Sequence, residues 1–312
     1  MGAGLKLADP EQSSGSTRSP ATMTLQREEK YRKRGIMPLV LVATVALALY
    51  VVPASAVAQD PPVLQGMWRS DITPFAAAAH SIEGDHSLWE KGDDIVQGRT
   101  PTSRPTYIVD PADGKIPYLP WAEAKKKEFR ANVDAPTKLE HIDPLVRALL
   151  VGVPRSNHTP GEIQIVQVPG YVLFLYSSSH AFRVVPTDGR PHVSDSIKLW
   201  MGDSRGRWEG NTLVIDVTNQ NDQTWLDSAS FHGDALHVVE RWTMVGPDTI
   251  GFEATMEDPS MFTQPWKIAY RINRVRDKGY EILEEARREG ERDAARILEV
   301  GRAKAKAEGR DK

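Results

Sequence analysis

Cysteine is absent from this sequence. Its absence excludes disulfides, thiolate metal sites, a cysteine nucleophile and lipid attachment through sulfur. It is compatible with an oxidising compartment and does not require one. There is no glycine-rich phosphate loop, no βαβ rhythm and no internal repeat. A basic excess is missing too. Residues 1–58 carry seven of the 39 basic and four of the 42 acidic side chains, so the remainder holds 32 basic and 38 acidic. A mildly acidic body gives no reason to expect a nucleic acid as partner.

What is present begins with an address. Residues 1–22 are rich in Ser, Gly and Pro and read as a disordered leader. In 23–58, Lys30, Arg32, Lys33 and Arg34 precede an apolar run at 36–52, and Ala54-Ser55-Ala56 and Ala56-Val57-Ala58 offer small-x-small cleavage sites. Basic, apolar and small residues in that order make a secretory signal peptide. The alternative is an uncleaved membrane anchor, since the run reaches the lower limit for a spanning helix. Either reading puts the body outside the cytoplasm, in the periplasm or tethered to the inner membrane.

The rest divides into a single β-rich domain at 59–275 and a charged helical tail at 276–312. Gly66-Met67-Trp68 resembles the Gly-x-Trp opening of lipocalins, in which the Trp closes the base of the barrel. Residues 121–132 read as a short helix whose three lysines, Lys125 to Lys127, form a solvated face. Residues 141–153 are helical or irregular, with Pro144 interrupting. From Glu162 the period changes to that of strands. The run 171–176 is apolar throughout and reads as a strand buried on both faces. Residues 181–185 continue the sheet, and 197–201 make a short strand. Glu209-Gly210-Asn211 turns a hairpin between 207–208 and 212–218.

The next hairpin is assigned a register. Leu236, Val238, Glu240, Trp242 and Met244 share one face, and His237, Val239, Arg241 and Thr243 the other. Gly246-Pro247-Asp248 turns the chain. Setting Val245 opposite Thr249 pairs Trp242 with Phe252, Met244 with Ile250, Arg241 with Glu253 and His237 with Glu257. A slip of one residue would mix the two faces. Trp266, Ile268, Tyr270 and Ile272 line a last strand. Many short strands and Gly/Pro turns give a mainly β fold, an antiparallel barrel or sandwich with the lipocalin-like barrel favoured, plus short helices and a C-terminal helix.

The run 202–210 (Gly-Asp-Ser-Arg-Gly-Arg-Trp-Glu-Gly), the following Thr212-Leu-Val-Ile-Asp216 and the turn from Pro186 to His192 resemble a large group of uncharacterised exported proteins of soil bacteria. The resemblance spans about residues 110–280 and brings no activity with it. Members of that group often end in Cys-His-Glu-Gly-Asn, where this chain reads Arg287-Arg-Glu-Gly-Glu291.

Several residue groups would suit chemistry. His232, Asp234 and His237 have two imidazoles and a carboxylate, as a catalytic zinc or non-haem iron requires; the other reading is a polar loop whose His237 pairs with Glu257. The loop at 75–98, with His80, Glu83, Asp85, His86, Asp93 and Asp94, reads as solvated. Glu240 lies on an apolar face, where a carboxylate must be paired or neutral. It is either a general acid or the partner of an arginine such as Arg183 or Arg271. Arg183, Trp200, Arg205, Arg207, Trp208 and Trp225 would bind an anionic or sugar-like ligand by pairing and stacking; alternatively they form a salt-bridged turn with core Trp. Ser177 to Ser179 with His180 lack a nucleophile elbow.

Three functions fit. The first, favoured here, is an exported barrel that binds a small molecule in its mouth or interior. The second is an acid–base enzyme, a lyase, isomerase or hydrolase, working through His237, Glu240 and Asp203, with a divalent metal compatible but not required. The third is an accessory subunit of an envelope complex, held by its N-terminal segment and docking a protein partner through the C-terminal helix.

Overall fold

Alternation of apolar and polar residues from Glu162 onward builds a sheet with one face turned inward. The computed structural model describes residues 63–70, 82–83, 106–159, 161–178, 181–277, 279–282 and 292–310. Contacts divide the chain into Met1–Gln59 and Asp60–Lys312, and every described residue belongs to the second unit. The expected leader and signal, most of the 75–98 loop, Ser179, His180 and 287–291 lie outside the described residues. No helix among those described is long and apolar enough to cross a membrane.

Ten strands form one antiparallel sheet. They are β1 (Gly66–Ser70), β2 (Ile108–Asp110), β3 (Glu162–Val168), β4 (Tyr171–Tyr176), β5 (Phe182–Pro186), β6 (Asp203–Glu209), β7 (Thr212–Thr218), β8 (His237–Gly246), β9 (Thr249–Glu257) and β10 (Trp266–Arg274). Nine of them run in the order β5-β4-β3-β1-β10-β9-β8-β7-β6, and β2 adds to the edge of β10 beside β1. The sheet curls until β5 and β6 touch without sharing a ladder, so the barrel is nearly closed.

The hairpin register holds from His237 opposite Glu257 through Met244 opposite Ile250. It then shifts, because Gly246 rather than Val245 faces Thr249. Val245 is the extra residue of a bulge and points to solvent, which lets the Gly-Pro-Asp turn close without dragging an apolar side chain inward. The strand β4 corrects another expectation: Val172, Phe174 and Tyr176 are buried, but Tyr171, Leu173 and Leu175 face outward and are only half-buried. An antiparallel barrel has one inner face, so an apolar run does not imply burial on both. Residues 197–201 form no strand; Leu199 makes a single parallel bridge to Gln220.

One end of the barrel has tight hairpin turns. There Trp68 is fully buried, its indole N–H donates to the Leu64 carbonyl at 2.7 Å, and Arg274 lies 4.1 Å over its ring. The other end is covered by long connections and by α1 (Pro120–Asn132). Pro120 opens that helix, where a missing N–H costs nothing. The bridge between Tyr118 and Phe262 ties its start to the β9–β10 loop. The stretch read as a tail contains α2 (Arg292–Ala307), in which Gly301 and Ala305 are buried. A Cβ on Gly301 would stand 2.2 Å from the Pro136 carbonyl, so glycine sets how closely α2 docks.

Glycine also matters where β5 meets β6. A Cβ on Gly206 would lie 2.9 Å from Val185 Cγ1 and 3.0 Å from Thr187 Cγ2. Gly206→Val is expected to cost about 1–3 kcal/mol, the usual penalty for overfilling a packed core. Urea unfolding measures this, and an unchanged midpoint would show that the strands can part at no cost.

Candidate functional site

Three polar systems are built on this frame. The first is inside the barrel. Glu240 on β8 and Arg183 on β5 both point inward, with side chains 0% and 1% exposed. Arg183 Nη2 donates to Glu240 Oε2 at 2.9 Å and to Ser204 Oγ at 3.1 Å. Asn157 Nδ2 donates to Glu240 Oε1, and Tyr176 Oη donates to Asn157 Oδ1 at 2.8 Å. Asn157 is held there from the barrel end: the Gln220 amide pairs with both backbone groups of Val153, and Arg155 makes a fork with Asp143 at 2.9 and 2.7 Å. Burial alone would lower the Arg183 guanidinium, but Glu240 and Tyr176 beside it hold it above its ordinary range. Of the two readings for Glu240, the geometry is that of pairing with Arg183.

The second system lies on the outer face of β6, β7 and β8. His192, on the crossover between β5 and β6, puts Nδ1 2.8 Å from Asp203 Oδ2 and Nε2 3.0 Å from Asp216 Oδ1. The other oxygen of Asp216 is 3.1 Å from His237 Nε2. Arg205 closes the row, donating to Asp203 at 2.6 Å and to the Pro191 carbonyl at 2.8 Å. Two of the expected catalytic residues, His237 and Asp203, are thus linked through His192 and Asp216, while Glu240 is on the opposite face of the sheet. The hydrogen bond from His237 lowers the Asp216 carboxyl, and the same bond raises the His237 imidazole.

The expected metal set does not converge. His232 is buried, hydrogen-bonded to Thr224 at 2.6 Å and to the Gly233 carbonyl at 2.7 Å, and burial lowers its imidazole. Asp234 is exposed beside Lys198, and His237 serves Asp216. Glu128, Glu140 and His141 come within reach of one point, but the Lys138 ammonium already sits 2.9 Å from Glu128 and 3.5 Å from Glu140.

The third system is a pair of grooves. One, at the hairpin end, encloses about 460 Å³ between Gln65, Gln167, Tyr171, Thr187 and Trp208. The other, at the covered end, encloses about 500 Å³ and is lined by Lys125, Phe129, Arg147, Trp225 and Phe231 among others. Phe129 stacks on Trp225 with centroids 5.2 Å apart and meets Phe231 edge-on at 5.5 Å. The expected ligand residues therefore scatter. Trp208 and Trp225 line different grooves, Arg183 is inside the barrel, Arg205 fastens the crossover, Arg207 pairs with Glu209 at 2.8 Å, and Trp200 is half-buried in the crossover.

Other expectations need correction. Arg241 is opposite Glu253 in the ladder but reaches Glu209 at 3.1 Å, while Glu253 takes Lys267 at 3.5 Å. Outward-facing long side chains choose among all neighbouring strands, not only the hairpin partner. Of the three lysines on α1, only Lys127 is solvated. Lys126 is buried against Glu83 and Tyr118, and Lys125 lies over Phe129 and Phe231. The sequence reading passed over His192 and Asp216. Asp216 had a signal, since strand alternation places it on the face opposite Leu213 and Ile215. Lys125 and Phe129 had one too, as their i, i+4 spacing sets them on one helix face.

Arg183→Met is expected to cost about 3–5 kcal/mol, because it strands the Glu240 charge, whereas Arg183→Met with Glu240→Leu recovers most of the loss. Additive costs in a denaturation cycle would refute the pairing. The His237–Asp216 bond also makes a pH prediction. The raised His237 contributes stability below its unfolded value of about 6.5, lost as pH rises through the folded value. The depressed Asp216 contributes above its unfolded value of about 3.9, lost as pH falls. Relative to Asp216→Asn, the native chain should be most stable between about pH 4 and 6.5. Parallel curves for the two proteins would remove the bond's claim. No family model, curated protein or solved structure matches this chain.

Proposed function

We propose that this chain is an exported, lipocalin-like barrel that binds a small molecule in the groove beside α1. The observation that carries the reading is the aromatic wall of Phe129, Trp225 and Phe231 along a groove of about 500 Å³. That volume falls within the range of small-molecule sites, and the lining joins these rings to charged side chains such as Lys125 and Arg147. The bore itself is an unsuitable receptacle. Phe174, Trp242 and Phe252 pack there at centroid distances of 4.9 Å, and the Arg183–Glu240 pair occupies its polar centre. Export rests on the basic, apolar and small-residue order of 30–58.

A second reading, acid–base catalysis, draws on the row Asp203, His192, Asp216 and His237, in which carboxylates orient imidazoles as a general base requires. It ranks lower because neither groove is lined by any member of that row.

The test is ligand-observed NMR with a panel of one- and two-ring aromatic compounds on the full chain. At least one should bind saturably and weaken about tenfold in Trp225→Leu, which removes the ring stacked on Phe129. Calorimetric melting of the variant reports whether it still folds. A panel without a saturable binder, or binding indifferent to Trp225→Leu in a folded variant, refutes the reading.

A further inference from the structure

We propose that the groove beside α1 selects small aromatic anions, aryl carboxylates above all, with the ring on Phe129 and Phe231 and the charge on Lys125 and Arg147. The inference rests on the small-molecule reading of this groove and adds the chemical class of its ligand.

The argument is one of unmatched charge. Five ionisable residues line the groove: Lys125, Lys138, Arg147, Glu140 and Asp222. Lys138 is committed to Glu128 and Glu140. Asp222 is exposed in a turn. Asp143, the acid near Arg147, has both oxygens engaged by Arg155. Among the described residues, Lys125 and Arg147 therefore have no carboxylate within ion-pair distance.

An anion would meet an orphaned donor on Arg147 and would offer Lys125 a partner stronger than a ring face. Arg147 Nε is buried and has no hydrogen-bond acceptor among the described residues. Burial lowers this guanidinium, with Asp143 acting weakly the other way. A desolvated guanidinium gains more from a carboxylate than a solvated one, and its planar fork matches the two oxygens. Lys125 holds its ammonium 5.2 Å from the Phe129 centroid and 5.0 Å from the Phe231 centroid. A cation over ring faces at a partly wet site is weakly bound. An aryl carboxylate offers that ammonium a stronger partner and gives the rings an aromatic one, so a single ligand replaces both contacts. A neutral arene offers only the second, and an aryl ammonium would meet two cations.

Three near-isosteric probes separate the possibilities: 1-naphthoate, 1-naphthalenemethanol and 1-naphthylmethylammonium, titrated calorimetrically into the full chain. The expected order is naphthoate tightest by about tenfold, then the alcohol, then the ammonium. Lys125→Gln and Arg147→Gln should each weaken naphthoate about fivefold or more and leave the alcohol unchanged. Thermal melts report the folding of both variants. If naphthoate and alcohol bind alike, or the ammonium binds best, the anion inference fails while the groove reading stands. The same holds if naphthoate binding ignores both substitutions but falls in Trp225→Leu. If no probe binds, the groove reading fails and takes this inference with it.

Discussion

Arg183 and Glu240 meet where the backbone cannot finish the barrel. Every ladder in the path is antiparallel, so nine strands alternate in direction and the two edges, β5 and β6, run the same way. No antiparallel ladder can join them. Side chains bridge the gap instead: Arg183 reaches Ser204 on β6 and Glu240 on β8, and Val185 packs on Gly206. A buried ion pair seldom adds net stability over apolar side chains of the same volume. Its contribution here is positional. A guanidinium fork accepts a carboxylate in few orientations, so it fixes how far β5 can slide against β6. Asn157 and Tyr176 complete the same network, which ties the covered end of the barrel to the same pair.

Aromatic rings and the Arg183–Glu240 pair fill the bore, so its rigidity is that of a packed core. Outside the barrel, α1 and the β7–β8 connection bring Phe129, Trp225 and Phe231 together. Phe129 is distant in sequence from Trp225 and Phe231, and none of the three lies on a named strand.

The sequence made the frame legible because period-two alternation and Gly/Pro turns are local signals. The β8–β9 hairpin shows both the reach and the limit of such signals. Trp242 opposite Phe252 follows from keeping apolar residues on one face, but the bulge at Val245 depends on turn geometry that alternation does not encode. Glu240 announced itself as a carboxylate on an apolar face, and Arg183 stood among its named partners. Arg241 went to Glu209 rather than Glu253, since that choice is visible only once β7 lies beside β8 and brings the β6–β7 turn near. The groove was least legible. A run of three lysines says nothing about which of them a helix turns toward a core, and the rings it meets come from a loop about a hundred residues away.

The two polar systems outside the bore differ in completeness. In the row from Asp203 to His237 each member has a partner within the chain, and the row pins His192 and hence the crossover that overlies β6. Asn219 helps from a left-handed conformation, φ 62°, that suits asparagine, donating to the Ser194 and Ile197 carbonyls. Buried or half-buried polar groups that satisfy one another need no visitor. In the groove, Lys138 pairs with Glu140, but among the described residues Arg147 Nε meets no acceptor and Lys125 lies over ring faces. The Gln220 amide matches both backbone groups of Val153, whereas Arg147 Nε, like Arg183 Nε and Trp266 Nε1, is buried without an acceptor among the described residues, and of these three side chains only Arg147 lines one of the two grooves. That deficit of negative charge, beside the largely buried rings of Phe129, Trp225 and Phe231, is what the proposed aromatic anion would meet.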